Sequence, residues 1–267
     1  MTRVREAFAR AQSEGRAALI GYLPAGFPTV EHSIRLMRAM VDEGVDIVEV
    51  GLPYSDPLMD GPVIQAAADQ ALRAGATPRD VIAVAGAVAD SGAAAVVMSY
   101  WNPIERYGVD AFASEFAAVG GSGVITPDLT PEEAADWTAA TTANDVDRIF
   151  LVAPSSTEDR LRRVAQACSG FVYAASTMGV TGARTSVSGA AATLVGRVRG
   201  VTDLPVAVGL GVSTGEQAAE IAQYADGVIV GSAFIRLVLE APSIDAAEAD
   251  VRALARELAA GVRRRTH

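Results

Sequence analysis

The chain has 267 residues, 50% of them hydrophobic and 20% charged, with a formal net charge of -10; it can bury a sizeable core, and its acidity argues against binding along a nucleic-acid backbone, which needs a basic surface. Lysine is absent, so all 22 basic residues are arginine, and His32 and His267 are the only histidines. Schiff-base chemistry and lysine-held pyridoxal phosphate are therefore excluded, and no metal site built on a His cluster can be assembled.

Met1 to Gly15 is an amphipathic stretch decorated with Arg and Glu and lacks an apolar signal-peptide segment. No apolar run reaches the ~18 residues of a membrane span. Cys168 is the sole cysteine, which rules out an intrachain disulfide and suits a reducing compartment. The expectation is a soluble, cytoplasmic protein that binds neither membrane nor nucleic acid. The one basic run, Arg263 to Arg265, reads as a solvated helix end.

Eight short strand-like runs follow in order: Ala18 to Tyr22, Asp46 to Val50, Ala95 to Ser99, Gly123 to Thr126, Arg148 to Val152, Phe171 to Ala175, Pro205 to Gly209 and Gly227 to Val230. Between them lie amphipathic stretches, among them Val30 to Glu43, Pro78 to Ser91, Val109 to Val119, Glu132 to Thr142 and Thr157 to Ala167. Thr29, Thr77, Thr130 and Ser156 or Thr157 stand where N-caps are wanted. Eight strands with crossover helices most simply close into a barrel. The pattern predicts a single (β/α)8 TIM-barrel domain over residues 1–267, with an N-terminal helix and extra helical segments after strands two and eight. An open doubly wound sheet is the alternative, and the Gly-x-Gly-x-x-Gly fingerprint expected after its first strand is missing.

In such a barrel, chemistry gathers at the C-terminal ends of the strands. Strand seven runs into Gly209-Leu210-Gly211-Val212-Ser213, and strand eight into Gly231-Ser232-Ala233 at the start of a helix. Glycines allow close backbone approach and a helix N-terminus offers free N–H groups, so the pair reads as a phosphate site. After strand six, the small-residue loop Gly179 to Thr185 is either a lid, with Thr181 reaching a catalytic carboxylate, or a passive surface loop.

Two carboxylates stand out. In Ile47-Val48-Glu49-Val50-Gly51, strand alternation sends Ile47, Glu49 and Gly51 into the barrel if Val48 and Val50 pack against helices. A lone ionisable group there needs a purpose or an arginine partner. Asp60 follows in a proline-stiffened loop, where it is a helix cap or a catalytic group; Asp56 before Pro57 is an ordinary turn pair.

Glu49 to Pro57, then Asp60-Gly61-Pro62-Val63-Ile64-Gln65, is similar to the signature of the tryptophan synthase α family. The likeness continues at Tyr100-Trp101-Asn102-Pro103, Tyr107-Gly108, Pro127-Asp128-Leu129, Gly179 to Arg184 and both phosphate loops, so it spans the chain in order. Met59 stands where a small residue is common, and Thr130-Pro131 displaces a proline that usually follows Asp-Leu.

The resemblance implies a lyase splitting indole-3-glycerol phosphate into indole and glyceraldehyde 3-phosphate. It implies Glu49 and Asp60 as the catalytic pair with Tyr173 beside the substrate, phosphate on Gly182, Gly211, Gly231 and Ser232, and indole among Tyr22, Tyr100, Ile125 and Leu210. It further implies no cofactor in this chain and, as partner in an α2β2 heterotetramer, a β subunit carrying pyridoxal phosphate. That partner would meet the Pro53 to Asp60 loop, Asn102-Pro103 and the Asp128 to Glu132 region. Indole-glycerol-phosphate synthase relies on lysine chemistry that this chain cannot perform. A stand-alone lyase and a non-catalytic regulatory subunit remain as alternatives, and retention of both carboxylates weighs against the latter.

Overall fold

The computed structural model describes residues 1–175, 184–209 and 211–265. Its elements run α1 (Arg3–Ser13), β1 (Ala18–Pro24), α2 (Val30–Asp42), β2 (Ile47–Gly51), α3 (Pro62–Arg73), α4 (Pro78–Asp90), β3 (Ala94–Met98), α5 (Trp101–Tyr107), α6 (Val109–Ala118), β4 (Gly121–Ile125) and α7 (Ala135–Ala143). They continue with β5 (Asp147–Ile149), β6 (Leu151–Val152), α8 (Glu158–Ala167), β7 (Val172–Ala175), α9 (Arg184–Arg199), β8 (Val206–Gly209), α10 (Gly215–Ala222), β9 (Gly227–Val230), α11 (Ser232–Glu240) and α12 (Ile244–Val262).

All strand pairings are parallel, in one sheet of order β5-β4-β3-β2-β1-β9-β8-β7-β6. The two outermost strands of that order, β5 and β6, are halves of the expected fifth strand, so the sheet comes round to itself at Phe150 and forms a nearly closed barrel. The interruption has a local cause. Phe150 donates its amide to Cys168 Sγ at 3.3 Å, while its carbonyl accepts from Tyr173 N at 3.2 Å. One ladder bond is thus diverted to a side chain, and the eight expected strands become nine among the described residues. The helices α3 and α4 after β2, and α11 and α12 after β9, are the expected extra segments; α5 is a further one after β3.

Alternation along the strands separates two apolar layers. Ala18, Ile20, Ile47, Ala94, Val96, Ile125, Ile149, Phe171, Ala207 and Ile229 fill the barrel, together with Val4, Phe8 and Ala11 of α1, which closes its N-terminal end. Val48, Val50, Val97, Val172, Val208 and Val228 face the surrounding helices. The floor is also tied by charge: Arg16 pairs with Asp46 at 2.6 Å and Arg5 with Asp147 at 2.9 Å.

Capping follows the sequence at most sites. Thr29 accepts from His32 N at 3.1 Å, Thr77 and Asp80 form a reciprocal capping box, and Thr157 accepts from Arg160 N at 3.3 Å. Thr130 is a correction. Its hydroxyl bonds Glu133, the carboxylate of Glu132 is drawn to Arg160 and Arg163 of α8, and the chain makes a turn before α7 starts at Ala135.

The helices α10 and α12 meet backbone to backbone: a Cβ added at Gly261 would lie 2.2 Å from the Gly215 carbonyl oxygen. Gly261→Ala must push these helices apart, so it is expected to cost about 1–3 kcal/mol despite the better helix propensity of alanine. Denaturant unfolding checks this; an equal or higher midpoint would show that the contact yields freely.

Candidate active site

The C-terminal ends of the strands bring three tyrosines and two carboxyl groups together. Tyr22 is in register with Glu49 across β1 and β2. Inward-facing glycines make room for the rings: a Cβ at Gly51 would stand 2.4 Å from the Tyr22 hydroxyl, and one at Gly209 would stand 2.7 Å from the Tyr173 hydroxyl. Gly231 is close to Tyr22 as well, at 3.2 Å from Cδ1. Tyr22 is buried and Tyr173 half-buried, and both phenols are pushed well above their ordinary range by burial and by the charges of Glu49 and Asp60.

Glu49 is 1% exposed, and its Oε2 has no hydrogen-bond partner. Burial, and then the neighbouring charge of Asp60, pushes its carboxyl up to about 8. Among the described residues it makes no ion pair with an arginine. The contrast with Asp46, just before the same strand, is informative. Asp46 is also buried but accepts from Arg16 and from Leu19 N, at the stability face of the barrel. Three residues further on, Glu49 sits at the other end and is left without such partners.

Asp60 does not cap α3; the N-cap is Gly61, with no side-chain cap bond, and Pro62 begins the helix. Instead its half-buried carboxyl is pushed up by burial and drawn back by a hydrogen bond from Tyr100. The Asp60 carbonyl accepts from Gln65 Nε2 at 2.7 Å. Asp56 is exposed and bonded to Ser55, as expected of a turn residue.

Gly211 adopts φ +66, a conformation that favours glycine, and among the described residues a Cβ there would meet nothing within 4 Å. Gly231 is the N-cap of α11 and supplies no side chain to its free amides, with Ser232 as the first helical residue. These two features lie at the ends of consecutive strands, β8 and β9, and leave N–H donors and open space for an anion. Thr181, Gly182 and Leu210 lie outside the described residues.

Ile125 is fully buried in the barrel layer, as part of the floor beneath the mouth. Two neighbours escaped the sequence reading. Met98 is in register with both Gly51 and Ile125 and packs on the inner layer; counting alternation along strand three would have found it. Tyr54 packs on Tyr100 with ring centroids 5.2 Å apart and the planes tilted by 33°, a contact that no local pattern announces.

A cleft of about 920 Å³ opens at the opposite end of the barrel, beside α1. Its arginines are committed: Arg5 to Asp147, Arg16 to Asp46 and Arg199 to Asp226. Among the described residues there is no cluster of three metal-ligating side chains, and no helix is long and apolar enough to cross a membrane.

The family model described as tryptophan synthase alpha chain matches residues 8–263. The tryptophan synthase alpha chain of Thermobifida fusca is 64% identical over 266 residues, covering 98% of each chain, and that of Acidothermus cellulolyticus is 62% identical over 264, covering 99% of this chain and 98% of the relative. A solved tryptophan synthase structure from Mycobacterium tuberculosis aligns with a TM-score of 0.91 at 56% identity, over 98% of both chains. The alpha subunit of Legionella pneumophila tryptophan synthase aligns at 0.89 and 30% identity, again over 98% of both. With that match from the first helix to the last, and with its barrel, the chain belongs to the tryptophan synthase alpha chain family.

Proposed function

We propose that this chain, as one domain over residues 1–267, cleaves indole-3-glycerol phosphate to indole and glyceraldehyde 3-phosphate. The observation that carries this reading is Glu49, a fully buried carboxyl with an unpartnered oxygen, raised to about 8 and facing Asp60. At neutral pH such a group holds a proton and can deliver it.

Breaking the bond between indole C3 and the glycerol chain unaided would expel a poor carbanion. Glu49 protonates C3, and the ring nitrogen takes up the positive charge. Asp60, ionised, accepts the indole N–H and stabilises that charge as it develops. The C–C electrons then return to the ring, the adjacent glycerol hydroxyl becomes the aldehyde, and its proton goes back to Glu49, which ends as it began. Tyr22, Tyr100, Tyr173, Ile125 and Leu210 wall the indole. The amides at Gly211, Gly231 and Ser232, with Gly182, grip the phosphate and supply positioning energy far from the broken bond. Thr181 is assigned a hydrogen bond to the catalytic carboxylate, on the loop's sequence and the family resemblance alone. None of these steps uses a cofactor of this chain.

Indole is apolar and would escape, so it is best consumed on the spot by a β subunit bearing pyridoxal phosphate, in an α2β2 heterotetramer in the cytoplasm. Support for a partner at the catalytic face comes from Leu58 and Met59, 79% and 44% exposed on the loop that carries Asp60. Covering these apolar side chains would favour the ordered loop, and a tenfold gain in rate needs about 1.4 kcal/mol of that preference.

The test is indole release by the purified chain, alone and with saturating β subunit, from pH 5 to 9. The expected profile of kcat/KM is bell-shaped: it falls above about pH 8 as Glu49 loses its proton, and on the acid side as Asp60 gains one. No release in either case would replace this reading with a regulatory subunit. An unchanged rate with no complex at micromolar concentrations would replace it with a stand-alone lyase.

A further inference from the structure

Tyr100 follows β3 and is the N-cap residue of α5, which places it on a different wall of the barrel from the loop carrying Asp60. The residue is 4% exposed and its ring packs against the tilted ring of Tyr54. Its phenol oxygen accepts two backbone N–H groups from that loop, from Leu58 at 3.1 Å and Met59 at 2.9 Å. A phenol oxygen has two lone pairs and one proton. The loop's amides, with that of Asp60 alongside those of Leu58 and Met59, take up its lone pairs and leave the proton to donate, and a hydrogen bond from this phenol draws the Asp60 carboxyl toward its ionised form. We infer that Tyr100 is the positioning residue of this site: it fastens the backbone at residues 58 and 59 to the rim of the barrel and aims its single proton at the Asp60 carboxylate.

This goes beyond a place in the indole wall and rests on the function proposed above. A wall contact needs only the ring. A positioning residue needs the hydroxyl, which among the described residues is the side-chain group that holds the amides of the loop, whereas Gln65 holds the carbonyl of Asp60 and not its carboxylate. The amides fix where the oxygen sits, and the oxygen fixes where the carboxylate sits. The hydrogen bond from Tyr100 favours the ionised form of Asp60 and works against burial, which pushes the carboxyl above its ordinary range.

The experiment separates the two roles with a readout that does not depend on turnover. In protein labelled with carbon-13 at aspartate carboxyls, the Asp60 signal is assigned by its loss in Asp60→Asn and titrated in wild type and in Tyr100→Phe, which keeps the ring and its packing. The Asp60 midpoint is expected to rise by about half a pH unit or more in Tyr100→Phe. Placing 3-fluorotyrosine at position 100, a stronger donor of the same shape, is expected to lower it, and this decides the matter by itself should Tyr100→Phe fold poorly. In kinetics, kcat should fall at least about tenfold with the acid limb moved up, while glyceraldehyde 3-phosphate binds within about threefold of wild type. An Asp60 midpoint unmoved by either change, or an effect confined to KM, would leave Tyr100 as a wall contact only. If wild type releases no indole while the midpoint still moves, the positioning role stands and the proposed reaction fails.

Discussion

Glu49→Gln is expected to lose cleavage by roughly 10²–10⁴-fold in kcat, the range of a general acid–base role, while binding of glyceraldehyde 3-phosphate is kept. Glutamine has nearly the same shape but can neither deliver a proton to C3 nor receive one from the glycerol hydroxyl. The variant also carries a stability signature. In the unfolded chain this carboxyl titrates near its ordinary 4.5, and in the folded chain at about 8. The folded state therefore holds the proton more tightly, and the stability this contributes is complete below about pH 4.5 and lost progressively as pH rises to 8. Glutamine has no such loss, so its stability relative to wild type should improve by roughly 3 kcal/mol between pH 4.5 and 7. Denaturant unfolding across that range and single-turnover kinetics check both halves. A variant keeping more than about a tenth of wild-type turnover would remove Glu49 from the mechanism, and a flat stability difference would mean that an ordinary carboxyl occupies position 49.

Gly211→Asp is expected to weaken binding of glyceraldehyde 3-phosphate at least about tenfold, or ~1.4 kcal/mol. The geometry makes this a clean change. The Cβ points into open space, and aspartate tolerates a φ of +66 better than most residues, so the fold should survive. What changes is the charge: a carboxylate would stand where the end of β8 and the free amides of α11 leave room for an anion. Calorimetric titration reads the effect, and Gly211→Asn separates charge from bulk, since only the aspartate adds a negative charge. Equal affinities for wild type and both variants would move the phosphate away from this loop.

Much of this was legible in the residues themselves. The eight β-branched runs with capped helical stretches between them specified a parallel barrel, because periods of two and of about 3.6 residues are local properties of the chain. Glycines ending strands seven and eight read as a phosphate site, the absence of lysine excluded Schiff-base chemistry, and the pairing of Glu49 with Asp60 came from the family resemblance. Alternation also placed Ile47, Glu49 and Gly51 on the inner face, where Ile47 packs with the barrel layer.

Other properties belong only to the assembled barrel. Asp46 and Glu49 are three residues apart, yet among the described residues one pairs with Arg16 and the other with no cation, because α1 and the segment after it close just one end of the barrel. Asp60 was equally readable as a helix cap or a catalytic group; the cap reading falls because Gly61 is the N-cap of α3, and the loop is held instead by the hydroxyl of Tyr100, 40 residues from Asp60 in the chain. The fifth strand breaks at Phe150 because Cys168 brings a sulfur to its amide. Sequence period determines which way a side chain points. How strongly its charge is disfavoured depends on which distant groups share that space, since desolvation and pairing are set by three-dimensional neighbours rather than by adjacent residues.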